Sequence, residues 1–315
     1  MFNVTDWSMF CRLTSSTIPR LSCRLLGTVS RPAEVAASLL PPEEESPLVL
    51  DLTLGTGTTS SHLLETTKAR LVGVDVDPGT SLTVTRLTET YQDRFTGVTC
   101  SWSSLPARLQ GEDLAQCDLV MMELGPSTAQ LEEGRGFTST DPGPLDMRFS
   151  RSGILCSDLL RLGEMDQLVK VLKVYGGVTK AKAIVSDIVE KRYLLEDINT
   201  APDLLRVLTE CHHKDFFWRD KDEMTVRENI ERVFTACRMF INNEINELFF
   251  AIRMAEKVLR KDGFLVIDAK SEHEKNLITK YLFRDSGTVR SGENETFSNI
   301  WEQQSQQFVF KKISK

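Results

Sequence analysis

Two short stretches carry residue types that could grip a nucleoside. Asp51-Leu52-Thr53-Leu54-Gly55-Thr56-Gly57 follows an apolar run at 48–50, and Leu71-Val72-Gly73-Val74-Asp75 comes some twenty residues later. Gly55 and Gly57 allow a tight turn and close approach of the backbone to a ligand. Asp75, ending the second run, is placed to accept hydrogen bonds from two ribose hydroxyls. The third glycine of a dinucleotide-type G-x-G-x-x-G turn is absent, because Ser60 stands in its place. Together with Asp51, the spacing favours a methyl-donor pocket; the plainer alternative is a sheet with an ordinary tight turn.

A third stretch, Met122-Glu123-Leu124-Gly125-Pro126, ends another apolar run, where open sheets put substrate-handling groups. A carboxylate at that place can take a hydrogen bond or proton from an exocyclic amine; otherwise Glu123 is a solvated loop acid. Metal chemistry is not expected. Cys211-His212-His213 offers adjacent side chains that rarely converge on one ion, and none of the seven cysteines forms a C-x-x-C pair. This cysteine pattern fits a reducing compartment.

Composition narrows the partners. A chain of 315 residues with 41% hydrophobic content can bury a sizeable core. A net charge of -7 argues against a surface that wraps nucleic acid along its whole face, so any RNA contact is local or shared with a partner, and no DNA partner is expected. No apolar run reaches the roughly 18 residues of a membrane span. Residues 1–33 hold Arg12, Arg20, Arg24 and Arg31, no lysine and one acid, Asp6. That is the composition of a presequence directing the chain to the mitochondrial matrix, or of a flexible arm.

The elements that must position these residues alternate. A helix at Glu34–Leu40, stopped by Pro41-Pro42 and Glu43-Glu44-Glu45, precedes a strand at Leu48–Leu52, a helix at Ser60–Thr67, a strand at Arg70–Val74 and a helix at Thr80–Tyr91. Val98–Trp102 and Cys117–Met122 read as the next strands. Gly, Pro, Ser and Thr make Leu131–Asp146 a loop. Helical patterns follow at Asp158–Leu172, Thr179–Tyr193 and Ala201–Leu208, then a long helix at Asn229–Leu259 with Lys257 and Arg260 in its last turn. The sheet resumes at Gly263–Ile267, and Phe308–Ile313 adds an antiparallel edge strand. The expected fold is α/β and doubly wound, with residues 34–130 and 229–315 forming the sheet domain and 131–228 an inserted loop and all-helical domain.

In one consistent order from about residue 34 to 282, the chain resembles the S-adenosylmethionine-dependent methyltransferases that modify N4 of a cytosine in small-subunit ribosomal RNA, bacterial and, more closely, mitochondrial. Thr53-Leu54-Gly55-Thr56-Gly57 is similar to the family's Thr-x-Gly-x-Gly turn, and Asp75-Val76-Asp77-Pro78 to its Asp-x-Asp-Pro. Glu123-Leu124-Gly125-Pro126-Ser127-Thr128-Ala129-Gln130-Leu131-Glu132, Arg135-Gly136-Phe137 and Pro144-Leu145-Asp146-Met147-Arg148 resemble the blocks after the fourth strand. Tyr175-Gly176 and the helix Arg238-Met239-Phe240-Ile241-Asn242-Asn243-Glu244-Ile245 match later motifs. The resemblance implies a class I S-adenosylmethionine-dependent methyltransferase-like sheet. It implies S-adenosylmethionine held by Asp51, Thr53, Gly55, Gly57, Asp75, Trp102 and Glu123, and a catalytic set of Glu123, Asp146, Arg148 and Asn242. The implied partners are small-subunit mitochondrial rRNA, the proteins of that subunit and other assembly factors.

The departures from the family fall on polar positions. Thr58-Thr59 replace Gly-His, Glu123 replaces an aspartate, and Gly177-Val178 replace two glutamates. Glu228-Asn229-Ile230-Glu231-Arg232 keeps only the arginine of His-Pro-Ala-Thr-Arg, and Ala269–Asn276 keeps only Glu274 of its block. Loss of polar groups over an intact apolar skeleton is the pattern of a protein that keeps its shape with little transferase activity. The expected role is an assembly factor of the mitochondrial small subunit, the alternative an active cytosine-N4 methyltransferase. A small-molecule methyltransferase is disfavoured because it would need little of the helical insertion. Phe137 and Tyr175 are read as packing residues rather than base platforms, and Lys270, Lys275, Lys280 and Arg284 as a local basic set.

Overall fold

Strand formation follows the apolar runs. In the computed structural model, which describes residues 31–40, 46–109, 116–215, 217, 221–282, 301–303 and 309–312, the first half alternates as expected. The elements are α1 (Arg31–Leu39), β1 (Leu48–Asp51), α2 (Thr58–Thr66), β2 (Arg70–Asp75), α3 (Ser81–Tyr91), β3 (Phe95–Thr99), α4 (Leu105–Arg108) and β4 (Cys117–Glu123). A short α5 (Thr128–Glu132) leads into a long loop and the helices α6 (Cys156–Leu162), α7 (Met165–Gly176), α8 (Ala181–Tyr193) and α9 (Ala201–Lys214). The chain returns through α10 (Glu223–Ile241) and α11 (Glu244–Val258) to β5 (Leu259–Asp268), α12 (Glu272–Leu282), β6 (Trp301–Gln303) and β7 (Val309–Lys312). The expectations for residues 1–30, Pro41-Pro42, Glu43-Glu44-Glu45, Arg284, Phe308 and Ile313 lie outside the described residues.

The seven strands form one sheet in the order β3-β2-β1-β4-β5-β7-β6. β1 to β5 pair in parallel, whereas β7 runs antiparallel to both β5 and β6. Both faces are covered, as a parallel sheet requires. Leu50, Val72, Val120, Leu265 and Phe310 lie in one register row and pack against Leu248, Ala251 and Ile252 of α11 and Ile278 of α12. The opposite face, with Val49, Leu71, Leu119 and Val266, packs against Ala36, Leu63 and Leu87. This is the doubly wound, class I methyltransferase-like sheet. A separate apolar core, including Leu160, Leu172, Ile184, Leu204 and Phe234, fills the helical insertion.

Several boundaries differ from the sequence reading, each for a local reason. The third strand is Phe95–Thr99, three residues earlier, and Trp102 lies in the 3₁₀ turn Trp102–Ser104. Helix α2 begins at Thr58 rather than Ser60. The helix expected at Asp158–Leu172 is two, because Gly163 leaves the helical conformation. The long helix at Asn229–Leu259 is also two, broken where Asn243 adopts the left-handed conformation at φ 52°. Arg260 therefore sits in β5, paired with Asp118 at 2.6 Å, instead of capping a helix. β7 lies between β5 and β6 and is not the edge. Among the described residues, no helix is long and apolar enough to cross a membrane and no cluster of His, Cys, Asp and Glu could hold a metal ion.

Candidate active site

The strand order reverses between β1 and β4, the switch point where open sheets bind ligands at the carboxyl ends of their strands. Asp51, Asp75 and Glu123 end the three strands β1, β2 and β4. The Gly55 N–H donates to Asp75 Oδ2 at 2.7 Å, and the Asp77 N–H donates to Oδ1 at 2.9 Å. The glycine bend and the second-strand carboxylate are thus side by side. Each Asp75 oxygen keeps a lone pair for a further donor. Burial raises the pKa of Asp75, the two backbone N–H groups acting against it.

Asp51 holds the turn from below. It accepts from Ser60 Oγ at 2.6 Å and the Thr53 N–H at 3.0 Å, is 1% exposed, and does not line the cavity above the turn. Burial pushes its pKa up to about 7 against those two bonds, with help from the charges of Glu123 and Asp75. Gly57 also faces away from the cavity. Its φ is 75°, and a Cβ there would lie 2.7 Å from Thr83 Cγ2, so its task is the close packing of the turn on α3. Both expected cofactor contacts are thus supports of the turn.

A cavity of about 470 Å³ extends from Gly55 and Asp75 past Trp102 and Glu123 to Asn242, well within the size range of small-molecule pockets. Thr53 also lines it and fixes Glu123, since Thr53 Oγ1 accepts the Glu123 N–H at 2.8 Å. Thr59 Oγ1 donates to Glu123 Oε1 at 2.8 Å, so the longer carboxylate is held by one of the two threonines that replace Gly-His. Trp102 donates its indole N–H to the Leu52 carbonyl at 2.6 Å. Its turn is anchored by Glu247, which accepts from the Ser103 N–H at 2.9 Å and from Ser103 Oγ at 2.7 Å. Gly55, Asp75, Trp102 and Glu123 can therefore hold an adenosine-bearing cofactor.

At the far end, Asn242 lines the cavity and clamps the loop after α5. Its Oδ1 accepts the Phe149 N–H at 2.6 Å, and its Nδ2 donates to the carbonyls of Met147 at 2.7 Å and Arg238 at 2.9 Å. Asp146 and Arg148 are not among the lining residues. They bind each other, with Arg148 Nε and Nη2 donating to the two Asp146 oxygens at 2.6 and 3.0 Å. Burial works to raise the Asp146 pKa, but the Arg148 bonds outweigh it and hold the group below its ordinary value. The pair shapes the loop from behind the cavity.

Sequence reasoning missed Phe149, which lines the cavity and stacks on Phe137 with centroids 5.6 Å apart. Phe137 and Tyr175 are packing residues, the latter edge-on to Phe240. It also missed a buried ion triad in the cavity wall. Arg238, 7% exposed, donates to both oxygens of Glu244 at 2.9 and 3.0 Å and to Glu274 Oε1 at 2.9 Å. Burial would lower the Arg238 pKa, yet the two glutamates keep it raised; burial raises that of Glu244 against Arg238. Glu274 Oε2 accepts the Lys270 and Ser271 N–H groups, each at 2.9 Å, while the Glu274 N–H donates to Ser271 Oγ. Ser271-x-x-Glu274 has capping-box spacing, a signal that was readable in the sequence. Nothing in the sequence marked Arg238 as the partner of Glu274.

The comparisons with known proteins agree with this geometry. The model of the MraW methylase family matches residues 33–314. The ribosomal RNA small subunit methyltransferase H of Rhodospirillum rubrum is 31% identical over 252 residues, covering 80% of this chain and 73% of that protein. A Drosophila melanogaster protein named as a probable methyltransferase-like protein 15 homolog is 29% identical over 255 residues, covering 77% of this chain and 69% of that protein. A much longer Culex quinquefasciatus protein, named as the receptor-type tyrosine-protein phosphatase mosPTP-1, is 30% identical over 261 residues; the match covers 79% of this chain but only 17% of that protein. With a family model spanning nearly its whole length and a sheet of the expected order, this chain belongs to the MraW methylase family.

Proposed function

We propose that this protein binds S-adenosylmethionine in the cavity between Asp75 and Asn242 and serves the small ribosomal subunit of mitochondria as an assembly factor, with methyl transfer to cytosine N4 much reduced. The carrying observation is the state of the polar groups around the cavity. The turn, Asp75 and Trp102 suit a nucleoside, whereas of the lining carboxylates Glu244 and Glu274 are bound to Arg238 and Glu123 to Thr59, and Asp146, behind the cavity, is bound to Arg148. A site whose carboxylates are engaged by its own side chains has few groups left to align an incoming amine, and alignment is the main contribution to such a transfer. The names of the Rhodospirillum and Drosophila relatives support the small-subunit rRNA and methyltransferase-like parts of the reading. The arginine-rich, acid-poor composition of residues 1–33 supports the mitochondrial matrix.

The continuity of the cavity from Asp75 to Phe149 favours a second reading, an active cytosine-N4 methyltransferase. The cofactor, when bound, supplies an electrophilic sulfonium methyl. Glu123 would orient the N4 amine and accept its hydrogen bond, and Phe149, backed by Phe137, would stack on a base drawn out of its helix. Complementation separates the two readings. In cells lacking the protein, Glu123→Gln is expected to restore mature small subunits as well as the unsubstituted chain does; restoration by the unsubstituted chain alone would favour the active enzyme.

A further inference from the structure

The insertion ends in an apolar patch that the described residues leave uncovered. Tyr193, Leu194 and Leu195 follow one another at the end of α8 and are 85%, 58% and 90% exposed, and Leu162 at the end of α6 is 68% exposed. The two helix ends adjoin. Arg192 Nε donates to the Leu160 carbonyl at 2.6 Å and Nη1 to the Gly163 carbonyl at 2.8 Å, and Leu160, Arg192 and Leu195 share the wall of a cavity of about 400 Å³.

Backbone conformation adds a second observation. The Glu196 N–H bonds to the Lys191 carbonyl, and Leu195 takes φ 57°, the left-handed position where such a helix end normally carries glycine. A leucine here meets a Cβ penalty and exposes its side chain to water. Neither cost is recovered among the described residues, and adjoining exposed apolar residues of this kind mark interaction sites.

The charges around the patch say what covers it. Among the described residues, Arg161 pairs with Asp158 at 2.7 Å, Lys191 with Glu196 at 2.8 Å and Glu210 at 3.3 Å, and Arg206 with Asp203 at 3.7 Å, while Arg192 bonds the two carbonyls through Nε and Nη1 and keeps Nη2 buried without a partner. Glu164, Glu190 and Asp197 remain exposed beside it. An acidic rim repels RNA phosphates and also a second copy of this chain. It suits a basic protein surface.

We propose that Leu162, Tyr193, Leu194 and Leu195 form a docking surface for a basic protein of the small ribosomal subunit, whose apolar side chains cover the patch while its Lys and Arg residues face Glu164, Glu190 and Asp197. The inference rests on the proposed function and names the partner that the insertion meets. Co-sedimentation of the purified full chain with isolated mitochondrial small subunits tests it. The double substitution Tyr193→Asp with Leu195→Asp is expected to weaken binding at least tenfold, about 1.4 kcal/mol. Leu195→Gly is expected to raise Tm, since glycine takes the left-handed position freely, yet to weaken binding; a merely structural role for Leu195 would not divide the two readouts. A photo-crosslinking residue in place of Tyr193 should give a protease-sensitive, RNase-resistant adduct with a basic protein. An RNase-sensitive adduct, a crosslinked dimer of this chain, or binding indifferent to the substitutions would overturn this inference alone. Failure of the unsubstituted chain to sediment with the subunits would overturn the proposed function along with it.

Discussion

Asp51 is a buried carboxylate with no cation among its hydrogen-bond partners, and its electrostatics reach the stability of the whole turn. Its pKa is raised to about 7 from an ordinary value of 3.8, chiefly by burial. Below the lower value both folded and unfolded states hold the proton. Between the two values the unfolded state releases it and the folded state keeps it, so this group's contribution to stability falls as pH rises from about 4 to about 7. Asp51→Asn keeps an acceptor for the Thr53 N–H and cannot ionise. Its Tm is therefore expected to decline less than that of the unsubstituted protein across this range; parallel curves would show that Asp51 is charged throughout. Phe149 is the other residue of consequence at this scale. Phe149→Ala is expected to leave cofactor binding within about twofold while lowering any measured transfer to rRNA by tenfold or more, the order of a lost base stack. Equal losses in both would place the ring at the cofactor instead.

The elements divide into those that periodicity reveals and those that single residues decide. β1, β2 and β4 were legible because their apolar runs are buried on both faces and end in turn residues or a carboxylate. The break between α10 and α11 was not, because the amphipathic pattern runs on through Asn242 and Asn243 and only the left-handed backbone of Asn243 interrupts it. Spacing likewise brought Asp146 and Arg148 to the right loop without showing that they turn toward each other. Gly57 looked like a cofactor contact because it shares its turn with Gly55, which lines the cavity. Its missing Cβ instead makes room for Thr83, so Gly57→Arg would disturb the packing of the turn on α3 before it could fill the cavity. The break places Asn242 in the cavity lining. Asn242→Ala removes two hydrogen bonds to residues 147–149 and one back to the Arg238 carbonyl of α10, at about 1 kcal/mol each. Denaturant unfolding should register a loss of about 2–3 kcal/mol, and a loss under 1 kcal/mol would mean that the loop is held by other contacts.

At the scale of the whole molecule, α10 joins the two cores. Val233 and Phe234 are buried in the core of the insertion, whereas Arg238 on the same helix reaches the cavity wall and pairs with Glu274 near the start of α12. The insertion is therefore mechanically continuous with the site. Phe234→Ala is expected to cost about 3–5 kcal/mol and to speed hydrogen exchange at the Phe149 amide, although the two residues lie in different elements. Unchanged exchange there would separate the insertion from the site. The division of labour in the sequence follows the same line: apolar residues build both cores, while three of the positions at which the chain departs from the motifs it resembles, Thr58, Thr59 and Glu123, line the cavity.

Calorimetric titration of S-adenosylmethionine into the purified protein and into Asp75→Ala, with Tm recorded for both, tests most directly whether the bend at Gly55 and the carboxylate of Asp75 form one nucleoside site. Saturable one-site binding, weakened at least tenfold in the folded variant, is the predicted result. Absence of binding by the folded unsubstituted protein, or binding indifferent to Asp75, would contradict it.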